Sequence, residues 1–489
     1  MPEKMLTKSK YLNGLQCPKL LWVAVNEPER IQQPDAVTQL RFDQGHLVGE
    51  MAKKLFPGGK DIPVEDFMTN LAITRRSFRE RIPLFEAGIM KGPLYSRADI
   101  LSPTGEDDWN IVEVKSATSI KAVNCHDVAF QKFCWEEAGA TINKCFLMYI
   151  NRDYVKNGEI DPHGLFIVQD ISEEVNEAGE GIRKRIEEML DIINCSNCPS
   201  VDIGPHCDDP FTCGLKEECW SGLPEHNVFT LCHGGKKNYE LYQKGIVDIV
   251  QIPLDYKFSD KQLIQYRCVT NGSPYINRTE IKRFLQNLEY PLYYFDFETF
   301  DTAVPLFDGT RPYQKIPFQF SLHIQRLPGT EPEHYSFLAE GRDDPRPALL
   351  EALNKVMGTK GSILVYNKSF EESILNGLGE AFKEHSGLVK NMASRLVDLI
   401  IPFRNFHYYH PSQKGSASLK SVLPVLTGLS YDDMPIGEGG EASAAYLAIT
   451  FGEVSKDEAA VTRQQLLNYC KLDTEGMVRI VETLNKLID

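Results

Sequence analysis

The stretch Pro291-Leu-Tyr-Tyr-Phe-Asp296-Phe-Glu298-Thr299 governs how the second half of the chain folds. It is rich in aromatic residues that favour a strand, where side chains two apart share a face. Tyr293, Phe295 and Phe297 therefore line one side, while Asp296 and Glu298 project together from the other. Two carboxylates on one face repel each other unless a cation lies between them, and a divalent metal is the economical answer. Taken alone, the pair fits equally well a strand whose exposed face carries two acids. Two later elements shift that balance. Ile363-Leu-Val-Tyr-Asn367-Lys-Ser-Phe370-Glu371 reads as a buried strand running into a helix, with Glu371 near the helix start. Tyr469 and Asp473 stand four apart in a long helix, Thr462–Leu487, and so share a face. Leu466, Cys470, Met477, Val481 and Leu484 give that helix an apolar stripe.

Strands at Leu292–Phe297, Phe318–His323 and Ile363–Tyr366 alternate with helical segments, which predicts an α/β domain. The succession Asp-Phe-Glu-Thr, Asn-x-x-Phe-Glu and Tyr-x-x-x-Asp resembles the tyrosine-type branch of the DnaQ-like 3′→5′ exonucleases, over about residues 289–489. The resemblance implies an RNase H-like fold in which Asp296, Glu298, Glu371 and Asp473 hold two Mg²⁺ or Mn²⁺ ions. It also implies that Tyr469 orients the attacking water. Glu371 departs from the pattern, because the family usually supplies an aspartate there. Asp398 reads as a loop or capping acid, and Gly415–Lys420 as an ordinary helix start.

Composition bounds the rest. With 489 residues the chain is too long for one core, so two or three domains are expected. Its net charge of −15 argues against coating nucleic acid by bulk charge. No apolar run reaches the roughly 20 residues that cross a bilayer, and the first residues lack the apolar stretch of a signal peptide. A cytoplasmic protein with no membrane partner is the expectation.

The first segment carries a second constellation. Arg97-Ala-Asp99-Ile-Leu, a polar turn, and Trp109-Asn-Ile-Val-Glu113-Val-Lys115 read as a hairpin in which Glu113 and Lys115 share a face and Asp99 comes opposite. Two acids can bind a divalent ion, and a nearby lysine can position or deprotonate water. A helix over Asp127–Gly139 comes next, with Gln131 and Trp135 four apart, and His46 lies on an earlier helix. This order resembles the RecB-type PD-(D/E)XK nucleases. The resemblance implies that Asp99, Glu113 and His46 are metal ligands, and that Lys115 and Gln131, the latter from the motif's second half, are catalytic. Trp135 replaces the family's tyrosine, a change that bears on DNA contact more than on metal binding.

Five cysteines (Cys195, Cys198, Cys207, Cys213 and Cys219) crowd into one loop, which points to metal ligation. RecB-like nucleases with an iron–sulfur cluster place one cysteine before the core and three after it. That resemblance implies a [4Fe–4S] cluster on Cys17, Cys207, Cys213 and Cys219, with Zn²⁺ on Cys195, Cys198 and two later thiols as the alternative. The other cysteines, Cys470 among them, read as inert core.

Three segments are therefore expected: a RecB-like PD-(D/E)XK restriction-endonuclease-like domain over 1–222, a helical linker with a faint helix-hairpin-helix character over 223–288, and a DnaQ-like RNase H-like domain over 289–489. The expected activity is metal-dependent cleavage of DNA, favoured over RNA, in single-stranded or end-exposed form. The alternatives are an enzyme with one working nuclease site and a nucleic-acid-binding scaffold without activity.

Overall fold

A computed structural model describes residues 4–488. The fold is mixed α/β, and the chain forms two compact units. One holds the residues up to Gly222 together with Thr302–Gln314; the other holds Leu223–Asp301 and the chain from Lys315 onward. The helical segment 223–288 thus clusters with the C-terminal half of the chain. Its turn at Gly245 (φ 78°) closes the helix Lys236–Gln243 with Ile246 N–H bonded to the Leu241 carbonyl, a plain Schellman cap. Among the described residues, no helix is long and apolar enough to cross a membrane.

In the first unit, β1 (Leu6–Thr7), β2 (Lys60–Asp61), β3 (Leu84–Lys91), β4 (Leu94–Thr104), β5 (Asp108–Lys115), β6 (Thr141–Ile150) and β7 (Phe166–Asp170) form one sheet. The order runs β2-β3-β4-β5-β6-β7, and β1 adds to the start of β4. β4 and β5 form the expected hairpin, while β5 and β6 run parallel. Helix α1 (Lys8–Gln16), α2 (Pro18–Asn26), α3 (Ala36–Lys53), α4 (Phe67–Ser77) and α5 (Ala122–Glu137) surround it. Alternation along β5 sorts the two faces: Trp109 and Ile111 join α5 and α1 residues, whereas Val112 packs with Val48 and Ala52 of α3. The segment Thr302–Gln314 completes the α3-side core with Ala303 and Val304, and the Ala303 N–H donates to Gln44 Oε1 at 2.9 Å.

In the second unit, β9 (Leu292–Phe300), β10 (Ile316–Gln325), β11 (Glu333–Leu338), β12 (Ile363–Val365) and β13 (Leu396–Asp398) order as β11-β10-β9-β12-β13; a separate β8 (Tyr275–Ile276) pairs with β14 (Tyr408–Tyr409). β9 is antiparallel to β10 and parallel to β12. Tyr293, Phe295 and Phe297 pack with Leu349, Leu353, Ile374 and Leu375 from the helices on one face. The opposite face, with Asp296 and Glu298, meets the last helix, Lys456–Ile488. That helix begins six residues before the expected Thr462 because Ser455-Lys-Asp-Glu458 is a capping box: Ser455 Oγ accepts from the Glu458 N–H, and Glu458 accepts from the Ser455 N–H.

Candidate functional site

The second unit gathers four carboxylates. Asp296 and Glu298 share the β9 face toward the last helix, which supplies Asp473, itself 8% exposed. Glu371 enters from the first turn of the helix Lys368–Ala381. Asn367 takes a left-handed conformation (φ 83°) to turn β12 into that helix, a geometry asparagine tolerates better than most residues. Its N–H donates at 3.0 Å to Asp398, which ends β13 rather than lying in a loop and whose charge adds to the rise of Glu371. The Tyr431 hydroxyl donates to Asp473 Oδ1 at 2.5 Å and fixes that carboxylate.

Burial, the Asp473, Glu298 and Glu371 charges together push Asp296 well above the usual carboxylate range. Glu298 rises through burial and the Asp473 and Glu371 charges, opposed by Lys420. Burial raises Asp473 to about 7 against the Tyr431 hydrogen bond and Lys420, and it raises Glu371 to about 8. Among the described residues, Glu371 Oε2 is buried without a hydrogen-bond partner. Of the four, Asp296 and Glu298 share the one tight group among the described residues, while Asp473 and Glu371 stand further off; acids that bear on one another in so dry a setting require either protons or cations. The donor set of hard oxygens fits Mg²⁺ or Mn²⁺.

Tyr469 lies 5% exposed beside this group, and burial with the Asp473, Glu298 and Asp296 charges raises its hydroxyl far above the usual phenol range. Cys470, expected to be inert core, borders the site. Its thiol lies 3.6 Å from Asp296 Oδ2 and within 4.8 Å of a ligating oxygen of both Asp296 and Glu298. Its spacing of three from Asp473 on a helix is the signal that could have placed it there.

The first unit gathers a different set. Glu113, fully buried, receives Lys115 Nζ at 2.5 Å and Gln131 Nε2 at 2.6 Å. Asp99 Oδ2 accepts the Val114 N–H at 2.8 Å, opposite Glu86, whose left-handed backbone (φ 57°) interrupts the β3–β4 ladder. Two further residues complete the group. Asp127 accepts from Lys115 at 2.9 Å and from Gln131 at 3.0 Å. Lys8 Nζ lies 2.8 Å from Glu113 Oε1, 3.6 Å from Asp127 and 3.9 Å from Asp99. The spacing of four between Asp127 and Gln131 could have revealed the former. Nothing local signals Lys8.

Burial would raise Glu113, but the Lys115 and Lys8 ammoniums outweigh it and hold the carboxyl well below its usual range. Burial and the Glu113 charge raise Asp99 to about 7, against Lys8 and Lys115. Burial would lower Lys115, yet Glu113 and Asp127 keep it firmly protonated. His46 stands on α3, which covers the Val112 face of β5 rather than the face of Glu113 and Lys115. The structure does not bring it into polar contact with them. Trp135, expected to bear on DNA contact, is a core residue: it is 1% exposed and stacks on Phe78 at 5.8 Å. Its helix α5 starts at Ala122, five residues before the expected Asp127, where Asn124 Oδ1 caps the Lys121 N–H at 2.9 Å.

The thiols of Cys17, Cys207, Cys213 and Cys219 line one small pocket with Lys19 and Lys216. Cys17 sits at the joint of α1 and α2, where Pro18 opens the second helix. The Cys213 N–H bonds to the Cys207 carbonyl at 2.9 Å, which folds the loop back on itself, and Lys19 Nζ approaches Cys219 Sγ at 3.3 Å. Cys195 is exposed, and neither it nor Cys198 lines this pocket. Among the described residues, no three of these thiols lie within 4.8 Å of one another.

Residues 293–418, a span that includes Asp296, Glu298 and Glu371, match a family described as "Domain of unknown function (DUF2779)". The chain is 27% identical over 222 residues to "Uncharacterized protein MG366 homolog" of Mycoplasma pneumoniae, an alignment covering 41% of this chain and 33% of that protein. It is 25% identical over 221 residues to "Uncharacterized protein UU173" of Ureaplasma parvum serovar 3, covering 40% and 31%. The chain spans about a third of the length of these curated relatives. A solved structure described as "Crystal structure of SSO0001" aligns with a TM-score of 0.24 at 13% identity, covering 46% of this chain and 89% of that one.

Proposed function

We propose that the chain is a metal-dependent nuclease with two active sites, acting on single-stranded or end-exposed DNA. Asp296, Glu298, Glu371 and Asp473 form a 3′→5′ exonuclease site of the DnaQ-like, RNase H-like type, and Asp99, Glu113 and Lys115 form one of the RecB-like PD-(D/E)XK type. The observation that carries this reading is the set of four acids in the second unit, three buried and Asp296 half-buried: burial raises the proton affinity of all four, and the charges of the others add to it at Asp296 and Glu298. Divalent ions bound there would supply the Lewis acidity that activates water and stabilises a leaving 3′ oxygen.

The protein's own groups do the rest. Tyr469 keeps its proton among these carboxylates, so its hydroxyl donates a hydrogen bond to a water or phosphoryl oxygen and does not act as a base. Tyr431 holds one Asp473 oxygen and leaves the other free. In the first unit, Lys115 stays protonated and therefore acts as a positive hydrogen-bond donor toward a phosphate. Gln131 orients Glu113 and Asp127 together.

The four converging thiols support a [4Fe–4S] cluster that staples α1 and α2 to the loop 207–219. Iron and sulfide in anaerobically purified protein, lost in Cys17→Ser and retained in Cys195→Ser, would support the cluster. Stoichiometric zinc without iron would remove it.

The functional test is Mn²⁺-dependent cleavage of single-stranded DNA labelled at its 5′ end or internally. A 3′→5′ ladder lost in Asp296→Ala, with distinct products lost in Glu113→Ala, supports two working sites. If one substitution abolishes all cleavage, only one site works. If neither DNA nor RNA is cut by the wild type, the nuclease reading fails.

A further inference from the structure

Lys8 reaches the Glu113 site through an unusual path. β4 pairs with β5 only from Ile100↔Val112 onward, leaving the earlier part of that edge open. β1 takes this place, pairing Leu6 with Leu94 and Thr7 with Tyr95. The chain then turns into α1 with Thr7 as its cap, so Lys8 is the first helical residue and lies beside the end of β5. The far end of the same helix is fixed at Cys17.

A lysine is disfavoured in this position. Its charge opposes the positive end of the helix dipole. Lys8 is not turned out to water, however: its side chain is 27% exposed, and its ammonium lies among Glu113, Asp127 and Asp99. Where a local rule is broken in this way, a functional constraint is the usual compensation. Lys115 already contacts Glu113 and Asp127 from the β5 side. Three carboxylates and two ammoniums therefore share one cluster, with one carboxylate in excess of the ammoniums. The other site carries four carboxylates.

We propose that Lys8 is a built-in cation of the Glu113 site, its ammonium filling room between Asp99, Glu113 and Asp127 so that this site takes a single divalent ion. This rests on the reading of the Glu113 cluster as a metal site. Lys8 is then a positioning and stoichiometry-setting residue: it balances one carboxylate charge that a second metal would otherwise balance, and it holds Glu113 Oε1 from the side facing α1.

The test is Mn²⁺ binding, followed by electron paramagnetic resonance of the free ion, to the full chain carrying Asp296→Asn and Glu298→Gln to disable the other site. In this parent, one Glu113-dependent Mn²⁺ is expected. Lys8→Met should bind a second ion or bind the first at least tenfold more tightly, and Lys8→Arg should match the parent. Two Glu113-dependent ions in the parent, or binding by Lys8→Met within twofold of it, would overturn the proposal. The parent stoichiometry and Lys8→Arg decide the matter even where Lys8→Met fails to fold. If Glu113→Gln leaves Mn²⁺ binding unchanged, the metal-site reading itself is what fails, and the role given to Lys8 goes with it.

Discussion

The two carboxylate clusters solve the same electrostatic problem in opposite ways. In the first unit Lys8 and Lys115 reach into the group, and Glu113 is held ionised by them. In the second, no lysine or arginine bonds to Asp296, Glu298, Glu371 or Asp473 among the described residues; Lys420 acts on Glu298 and Asp473 from further away. The first cluster is an ion-pair network around the buried Glu113 and Asp127, whose worth lies in its completeness, because an unpaired buried partner is costly. The second is a set of like charges waiting for protons or cations. The same residue type is therefore stabilising in one unit and destabilising in the other.

The largest expected effect is on chemistry. Asp296→Asn should lower 3′→5′ exonuclease activity by on the order of 10³-fold, equivalent to about 4 kcal/mol of transition-state stabilisation. Rates on 5′-labelled single strands measure it, and a loss below tenfold would remove Asp296 from the centre of the site. The stability effects should then diverge. Glu113→Gln leaves two ammoniums with weaker partners and should cost roughly 3 kcal/mol, the low end for a broken buried pair because Asp99 and Asp127 remain. Asp296→Asn, which removes one of four repelling charges, should leave the metal-free protein as stable or more so. Urea titrations without metal make the comparison, and equal losses in both variants would erase the contrast.

A smaller effect is expected at the partner of Asp473. Tyr431→Phe removes the hydrogen bond that orients this carboxylate and should lower Mn²⁺ affinity or activity by about 10–100-fold. No change would mean that the Tyr431 hydroxyl does not set the carboxylate's position.

The mildest probe is pH. Asp473 at about 7 and Glu371 at about 8 bind protons more tightly folded than unfolded. Their contribution to stability is full below about pH 4 and is lost as pH rises through those values. Glu113 has the opposite sign: its contribution is present above about pH 4.3 and falls away below it. The thermal midpoint of the second unit without metal should therefore drop between pH 5 and pH 8 by at least roughly 2–4 °C, the shift that corresponds to about 1 kcal/mol. Mg²⁺ or Mn²⁺ should raise it more at pH 8 than at pH 6. A midpoint that rises over that interval without metal would contradict the uncompensated cluster.

Much of this arrangement is legible residue by residue. Alternation along β9 puts Asp296 and Glu298 on one face, and helical spacing puts Tyr469 beside Asp473, because both depend only on local backbone period. Glu113, Lys115 and Gln131 follow from the same two periods. The helix starts at Ala122 and Lys456 escape a reading by periodicity, because caps at Asn124 and Ser455 extend the helices beyond their apolar stripes. Cys470 reads as core, and it is fully buried; burial alone does not say that it packs against carboxylates.

Local spacing is enough to set out the alternating α/β elements, the pairs Asp296 with Glu298, Tyr469 with Asp473 and Glu113 with Lys115, and the crowding of thiols, since each is written over a few turns or strands; that Glu371 and Asp473 join the β9 acids is expected from the family resemblance alone. What neutralises those acids is settled by the folded arrangement alone. Lys8 lies 105 residues from Glu113 along the chain, and Cys17 is likewise remote from the loop of Cys207, Cys213 and Cys219. Spacing carries no information across such distances; the pairing of β1 with β4 does, by setting one end of α1 among the carboxylates and the other among the thiols. Whether a buried acid is an ion-pair partner or an unmet charge depends on groups brought to it from elsewhere in the fold, because Coulomb energy falls with distance in space and takes no account of distance along the chain.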